Sequence, residues 1–378
     1  MRNLHPSAIL LLLPAIGFAA PYIQILSPKP HQVIQRTGYL PNQSIEHAIG
    51  GRHLGRAMVP LSFRAPACSG DFAYRIISKE KFQAPNQPWI AFLAKKANEL
   101  WESEIEIPAG GWYRLELRCA TSTLAIESAV EPIGVGEVFL IAGQSNAGGY
   151  SDGRMLIDDP QQRVVAYNIK TGEWAVANDP QPNVGPGGTI WPPMCNALVS
   201  VLDVPIGMVN VAVDSTSSSQ WLPGENLFPL LAEAARTIRQ FRAVLWQQGE
   251  SDVIRKTTTI DYVAHMKTIR TALENEAGVR APWLLAKSTF HPTVYDDPVH
   301  EAQIRDAIDI LWKTSGFLPG PDTDILGGSN RGGPHSRRHF TAEGQKHAGL
   351  MWFAVVWSEL FCEQSRLSSG VTTALRFN

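Results

Sequence analysis

The chain has 378 residues, of which 44% are hydrophobic and 18% are charged, and its formal net charge is −2. This length predicts two domains with sizeable hydrophobic cores. The sequence has no basic stripe and no run of like charges, which argues against a nucleic-acid partner and against binding to an anionic membrane surface.

The N-terminus has the pattern of a cleavable signal peptide. A basic start precedes an apolar run from Ala8 to Phe18, and small residues follow from Ala19. The run is shorter than the roughly 20 apolar residues of a membrane-spanning helix. We therefore expect residues 1–19 to be removed on export to the periplasm or the cell exterior, with no membrane insertion afterwards. The alternative is a buried N-terminal strand or helix.

Residues 20–133 consist mainly of short extended segments separated by turns. In one of them Tyr113, Leu115 and Leu117 alternate with charged residues, a pattern typical of a half-buried antiparallel strand. We predict an all-β sandwich of about 110 residues for this part of the chain.

After residue 133 the sequence alternates between strand and helix patterns. Strands are predicted over residues 138–142, 206–213, 243–246 and 283–288, and helices over 225–240, 260–273, 301–313 and 341–360. This alternation predicts a parallel sheet with helices on both faces. The predicted domain covers residues 134–362, and a tail follows over 363–378. Because ligands bind beyond the carboxyl ends of such strands, the strand ends are where catalytic residues are expected.

The four cysteines divide evenly between the two predicted domains. Exported chains meet an oxidising compartment, where disulfides form and persist. One bridge within each domain, Cys68–Cys119 and Cys195–Cys362, is the simplest pairing. The alternative is four buried free thiols, and no Cys/His cluster predicts a metal site.

A candidate nucleophile follows the first strand of the second domain, in Gly143-Gln144-Ser145-Asn146. A strand that ends at Gly143 places the Ser145 hydroxyl at its carboxyl end. If a helix begins there, its free N–H groups face an oxyanion formed at Ser145. The alternative is an ordinary polar turn. The segment is not the nucleophile elbow of α/β-hydrolases, because Ala147 replaces the second glycine.

Two further strand ends carry polar residues. Gln248, Glu250 and Asp252 follow the strand that ends near Trp246, and the Gln248 amide can donate to an oxyanion. The alternative is a solvated turn. His339 precedes the last predicted helix and is a candidate general base, although spacing alone does not separate it from His335.

In this order, Gly-Gln-Ser-Asn, Trp-x-Gln-Gly-Glu-Ser-Asp and His-Phe-x-x-x-Gly resemble the SGNH/GDSL hydrolase superfamily, and within it the sialate O-acetylesterase-like carbohydrate esterases. The resemblance covers about residues 134–360 and extends weakly into the first domain. It implies an SGNH-type three-layer α/β/α domain with a parallel sheet, preceded by an all-β sandwich. It also implies an acetylated carbohydrate as substrate and no cofactor.

The resemblance also assigns roles. It makes Ser145 the nucleophile, with its backbone N–H in the oxyanion hole, and His339 the base. The second oxyanion donor of the family is usually a glycine, and alignment on Trp221 places Ser215 at that position. Gln248 corresponds to the third donor.

One departure from the family concerns the acid. The family carries Asp three residues before the histidine, where this chain has Ser336. A carboxylate in that position fixes the imidazole tautomer and stabilises its positive charge. The candidates for this orienting role are Ser336 itself, a backbone carbonyl, Glu250 and Asp252.

Candidate substrate contacts lie next to the motifs, with core packing as the alternative for the tryptophans: Gln144, Asn146, Trp191 and Trp221. A sialate carboxylate would need an arginine, and the candidates are Arg154, Arg331, Arg337 and Arg338. The predicted function is therefore an exported esterase that removes O-acetyl groups from sialate or from plant or microbial polysaccharide, by a Ser–His acyl-enzyme mechanism. The alternatives are a non-catalytic carbohydrate-binding protein that retains the fold and, less favoured for lack of a ligand motif, a metal-dependent hydrolase using His335 and His339.

Overall fold

The computed structural model describes residues 22–39, 54–78, 88–120, 125–292, 296–332 and 337–362. The predicted signal peptide, the predicted tail over 363–378, His335 and Ser336 lie outside the described residues. In the part of the chain that the structure covers, no helix is both long and apolar enough to cross a membrane.

The first part of the chain forms β-strands. Their bounds are β1 Gln24–Ser27, β2 Val33–Gln35, β3 Arg56–Arg64, β4 Phe72–Ser78, β5 Ile90–Phe92, β6 Lys95–Ala97, β7 Leu100–Pro108, β8 Gly110–Ala120 and β9 Ala125–Gly143. One sheet has the order β1-β3-β7-β6, and β5, β4 and β8 lead through antiparallel pairs into β9. In β3, alternate residues from Ala57 to Phe63 are buried, which is the pattern of a strand with one face on a core.

A second set of strands extends the sheet that contains β9. These are β10 Val164–Asn168, β11 Glu173–Val176, β12 Ile206–Asn210, β13 Ala243–Gln247, β14 Trp283–Lys287 and β15 Phe317–Asp322. The order is β11-β10-β12-β9-β13-β14-β15, in which β11 is antiparallel and every other neighbouring pair is parallel. A separate two-stranded ribbon pairs β16 Arg331–Gly332 with β17 His339–Phe340.

Helices cover both faces of this sheet. They are α1 Trp191–Leu202, α2 Phe228–Ile238, α3 Glu250–Arg255, α4 Thr259–Ala277, α5 Pro298–Trp312 and α6 Ala342–Val356, which a π-helical turn over Trp357–Phe361 extends. In β9, Phe139 and Ile141 pack in the core with α1 and α6, whereas Leu140 and Ala142 pack in the core with α2, α4 and α5. The fold is therefore mixed α/β, with a large mixed sheet and helices.

Two observations bear on the predicted elements. Strand β9 runs through residues 133 and 134, where the domain boundary was predicted, and the division into domains stays a prediction. Helix α1 was not predicted, because it begins with Trp191-Pro192-Pro193. Proline is tolerated in the first turn, where the N–H groups have no helical partner in any case.

The predicted disulfide Cys68–Cys119 is confirmed. The predicted Cys195–Cys362 bridge is wrong, because both cysteines are free thiols. The Cys195 side chain points from α1 into the core, where its Sγ lies 3.4 Å from the sulfur of Met208 on β12. Burial raises the pKa of this thiol, so it behaves as an inert core residue.

Candidate active site

Ser145 lies in a tight turn at the carboxyl end of β9. Gly143 has φ +130°, and a side chain there would collide with the backbone of Gln247 on β13. The turn is closed by bonds from the Ala147 N–H to the Gln144 carbonyl and from the Gly148 N–H to the Ser145 carbonyl. The sequence left open whether a helix begins at Ser145, and none does. Any oxyanion donors must therefore come from the turn itself and from neighbouring loops.

The loop after β12 supplies Ser215, which has φ +58°. This is the left-handed region that glycine adopts readily, so the position keeps the backbone conformation of a glycine although a serine occupies it. Ser145 and Ser215 line the same cavity. The backbone N–H of neither residue donates to an acceptor among the described residues, so both remain available to an oxyanion.

The cavity has a volume of about 320 Å³ and lies at the carboxyl edge of the sheet, as the strand-end rule predicts. Its walls come from the turn after β9, the loop after β12, helix α3, the segment after β14 and Arg338, which directly precedes β17. The lining residues are Gln144, Ser145, Asn146, Ser215, Glu250, Ser251, Ile254, Arg255, His291 and Arg338.

Gln248, the predicted third oxyanion donor, lies away from the cavity lining. Gln248 is fully buried and does not line the cavity. Its Nε2 donates to the carbonyl of Thr216, 3.1 Å away, and to the carboxylate of Asp252. Asp252 also accepts bonds from the backbone N–H and the hydroxyl of Ser218 at 2.9 and 2.7 Å. These two residues therefore brace the loop that carries Ser215, and Asp252 is not in contact with His339.

Glu250 holds Asn146 rather than the histidine. Its Oε1 accepts bonds from Asn146 Nδ2 at 2.5 Å and from the Ser288 hydroxyl at 2.8 Å, while its buried Oε2 has no partner among the described residues. Asn146 Nδ2 also reaches the carbonyl of Arg338 at 3.3 Å. Asn146 thus ties the nucleophile turn to the residue before His339.

Burial raises the pKa of Glu250 to about 7. Because this folded-state pKa exceeds the unfolded one, the folded protein binds more protons between about pH 4.5 and 7, and the free energy of unfolding falls as pH rises through that window. Glu250→Gln retains the Oε1 acceptor and removes the titration. We expect wild type to lose on the order of 3 kcal/mol relative to the variant between pH 5 and pH 8 in urea unfolding. Equal pH slopes for the two proteins would contradict this.

His339 lies on β17, opposite Gly332, and its ring packs on that of Tyr150 with centroids 5.9 Å apart. Its Nε2 is buried without a hydrogen-bond partner, and no carboxylate among the described residues bonds to either ring nitrogen. Burial, with the positive charge of Arg338 next in weight, lowers the pKa of His339 to about 4. The imidazole is therefore neutral, as a general base must be. No bond joins it to the Ser145 hydroxyl, and such bonds are often long in sites without substrate.

The assignment of Trp191 and Trp221 as substrate contacts is wrong, because both side chains are fully buried. Trp191 Nε1 donates to the Ala147 carbonyl at 2.8 Å, which supports the nucleophile turn from beneath. Gln144 and Asn146, the other two predicted substrate contacts, do line the cavity. The Oε1 of Gln144 already accepts a bond from the Ser251 N–H at 3.0 Å.

Sequence reasoning missed His291 and Arg255. His291 follows β14 at the same sheet edge, so the strand-end rule contained the signal, but no motif marked the residue. Its Nε2 lies 3.4 Å from the guanidinium of Arg338. Of the predicted carboxylate-binding arginines only Arg338 lines the cavity, whereas Arg331 donates to three backbone carbonyls: Thr323, Leu326 and Arg338.

Comparison with known proteins identifies the fold and the family of the chain. A probable carbohydrate esterase of Arabidopsis thaliana is 26% identical over 201 residues, which cover 46% of this chain and 76% of that protein. The crystal structure of a carbohydrate acetylesterase from Xanthomonas citri matches with a TM-score of 0.58 at 16% identity, over 90% of this chain and 75% of that one, and so shares the fold. The family described as carbohydrate esterase, sialic acid-specific acetylesterase, matches residues 135–357, which is more than half of the chain and includes Ser145, Ser215 and His339. The chain belongs to this family of carbohydrate esterases.

Proposed function

We propose that the protein is an exported serine esterase that removes O-acetyl groups from sugars, with Ser145 as nucleophile and His339 as base. The observation that carries the proposal is the cavity at Ser145, where the backbone N–H groups of Ser145 and Ser215 have no acceptor among the described residues. Two such donors beside a serine hydroxyl are what acyl transfer requires. The same features disfavour a non-catalytic sugar-binding role.

The reaction proceeds in two halves. His339 takes the hydroxyl proton of Ser145 while Oγ attacks the acetyl carbonyl carbon, and the oxyanion lies against the N–H groups of Ser145 and Ser215. The bond to the sugar oxygen breaks, that oxygen takes the proton from His339, and the acetyl group stays on Ser145. Water then gives a proton to His339 and attacks, after which acetate leaves and Ser145 regains its proton.

The charge of the cavity supports an acidic sugar as substrate. Arg255 and Arg338 both line it, and neither forms an ion pair with an acid among the described residues. Arg338 Nε is buried without a partner. A sugar carboxylate would supply the missing acceptor, and a guanidinium binds carboxylates with two parallel hydrogen bonds. A volume of about 320 Å³ accommodates a single sugar residue rather than a long chain.

The finer architecture and location belong to the same proposal. The parallel strands β10, β12, β9, β13, β14 and β15, with helices on both faces, support an SGNH-type α/β/α domain. The strands before them support an all-β sandwich. The Cys68–Cys119 disulfide supports a periplasmic or secreted location, because such bridges persist in oxidising compartments.

The test compares acetate release from an O-acetylated sialic acid with release from its methyl ester, which adds one methyl group and removes the charge. We expect the acid to be hydrolysed at least tenfold faster in kcat/KM, and Arg338→Met to abolish this preference while leaving hydrolysis of the methyl ester within threefold of wild type. Sugar binding without acetate release would show the non-catalytic alternative. Equal rates for the acid and the methyl ester would contradict the proposed acidic substrate but not the proposed esterase activity.

A further inference from the structure

The base His339 is surrounded by groups that oppose its protonation. Burial lowers its pKa most, and the positive charges of Arg338 and Arg331 and the imidazole of His291 lower it further. During attack, however, His339 must hold the proton of Ser145 and become positively charged. In most triads a carboxylate offsets this charge. Residue 336, where the family carries that acid, is a serine.

Tyr150 contacts the imidazole of His339 and is hydrogen-bonded to Asp214. The Tyr150 ring packs on the His339 ring at an interplanar angle of 34°. The Tyr150 hydroxyl donates to Asp214 Oδ1 at 2.7 Å. Burial, followed by this bond to Asp214, raises the pKa of Tyr150 to about 12, so the phenol keeps its proton and stays a donor throughout the working range.

Asp214 is placed to act both on Ser215, a proposed oxyanion donor, and on His339. It precedes Ser215, whose hydroxyl lies 3.4 Å from its Oδ2. Asp214 is the carboxylate whose charge raises the pKa of His339, against the three groups that lower it. None of the described basic residues forms an ion pair with Asp214, so no ion pair neutralises its charge.

We propose that Tyr150 and Asp214 are positioning residues that together replace the missing acid of the triad. The Tyr150 ring limits rotation of the His339 imidazole, and the Asp214 carboxylate, held by the Tyr150 hydroxyl, stabilises the imidazolium that forms during attack. The inference rests on the proposed Ser145–His339 mechanism. Because Asp214 acts through space at an exposed rim, its contribution is smaller than that of a hydrogen-bonded acid and is screened by salt.

Asp152 is the rival carboxylate and the matched control. Its backbone N–H donates to the carbonyl of Phe340, next to His339, at 3.0 Å. Its carboxylate lies against Gly332, the residue that pairs with His339. It is similarly exposed, yet it is not among the groups that shift the pKa of His339.

The experiment compares kcat, KM and the pH profile of acetyl ester hydrolysis in six full-length proteins: wild type, Asp214→Asn, Asp214→Glu, Tyr150→Phe, Asp152→Asn and Ser145→Ala. We expect Asp214→Asn to lower kcat at least tenfold at low salt with KM within twofold, and to move the acidic limb of the profile to lower pH. Tyr150→Phe keeps the ring and loses the bond, so we expect a smaller loss. Asp152→Asn should match wild type, and Asp214→Glu should recover part of the activity.

The outcomes separate the two proposals. If Asp214→Asn matches wild type in kcat and pH profile, or if Asp152→Asn causes the loss and the shift instead, the inference is overturned while the esterase stands. If Ser145→Ala is fully active, the proposed mechanism itself fails. A loss in Asp214→Asn without a shift of the acidic limb would show a structural role for the loop and would also overturn the inference.

Discussion

Ser145→Ala is expected to lower kcat/KM for an acetyl ester by about 10³-fold to 10⁴-fold, the largest loss of any single substitution here. The hydroxyl oxygen forms the bond to the acyl group. None of the other residues that line the cavity occupies this position in the turn after β9. The loss is placed below that of a complete triad because the wild-type base already lacks a hydrogen-bonded acid. Melting temperature should be nearly unchanged, since alanine fits the same turn.

The matched control is Ser200→Ala. Ser200 is an exposed serine on α1 whose hydroxyl bonds to the carbonyl of Ala197 within the helix. It should retain wild-type activity. A phosphonate ester that traps serine nucleophiles adds a second readout, because mass spectrometry should find the adduct on the peptide containing Ser145 in wild type and in Ser200→Ala. Labelling of any other serine would show that the nucleophile has been assigned wrongly.

His339→Ala should lower kcat by about 10³-fold, because water is a poor acceptor for the proton of Ser145. Added imidazole should restore part of the rate in this variant and none in Ser145→Ala. His347→Ala is the control, since His347 lies on α6 and bonds to Asn330 at 2.7 Å, away from the cavity.

His339 also determines the acidic limb of the pH profile. Only neutral His339 can accept a proton, so activity rises as pH passes upward through its pKa. With that pKa lowered to about 4, the acidic limb of kcat/KM should lie near pH 4 rather than near the ordinary histidine value of about 6.5. A limb near 6.5 would mean that another group is the base, because kcat/KM reports the pKa values of the free enzyme.

The sheet edge at which Ser145 lies could be predicted because strand patterns and the strand-end rule depend on local sequence. Ser145, Ser215 and the chain around His339 reach one edge for that reason. Gln248 does not line the cavity although its motif matched. Its amide donates to Asp252, 4 residues further on, and to the Thr216 carbonyl. The sequence does not show which partners a buried amide will have.

The predictions for the two tryptophans and for the Cys195–Cys362 pair were wrong for a related reason. Nearness in sequence to a motif places Trp191 and Trp221 close to the site but does not say on which side of the backbone their rings lie. Both rings lie in the core. The pairing of Cys195 with Cys362 rested on their sharing a predicted domain, and that does not establish that two thiols face each other.

The continuous strand β9 has a consequence for how the cavity can change shape. Its 19 residues run from the N-terminal strands to Gly143, two residues before the nucleophile. A hydrogen-bonded strand leaves no hinge between its two ends, so the N-terminal sheet and the turn of Ser145 move as one body. Substrate cannot be enclosed by one part of the chain closing over the other along this connection. The cavity is lined by the turn after β9, the loops that follow β12 and β14, helix α3 and Arg338, so adaptation to different sugars must come from these parts of the chain.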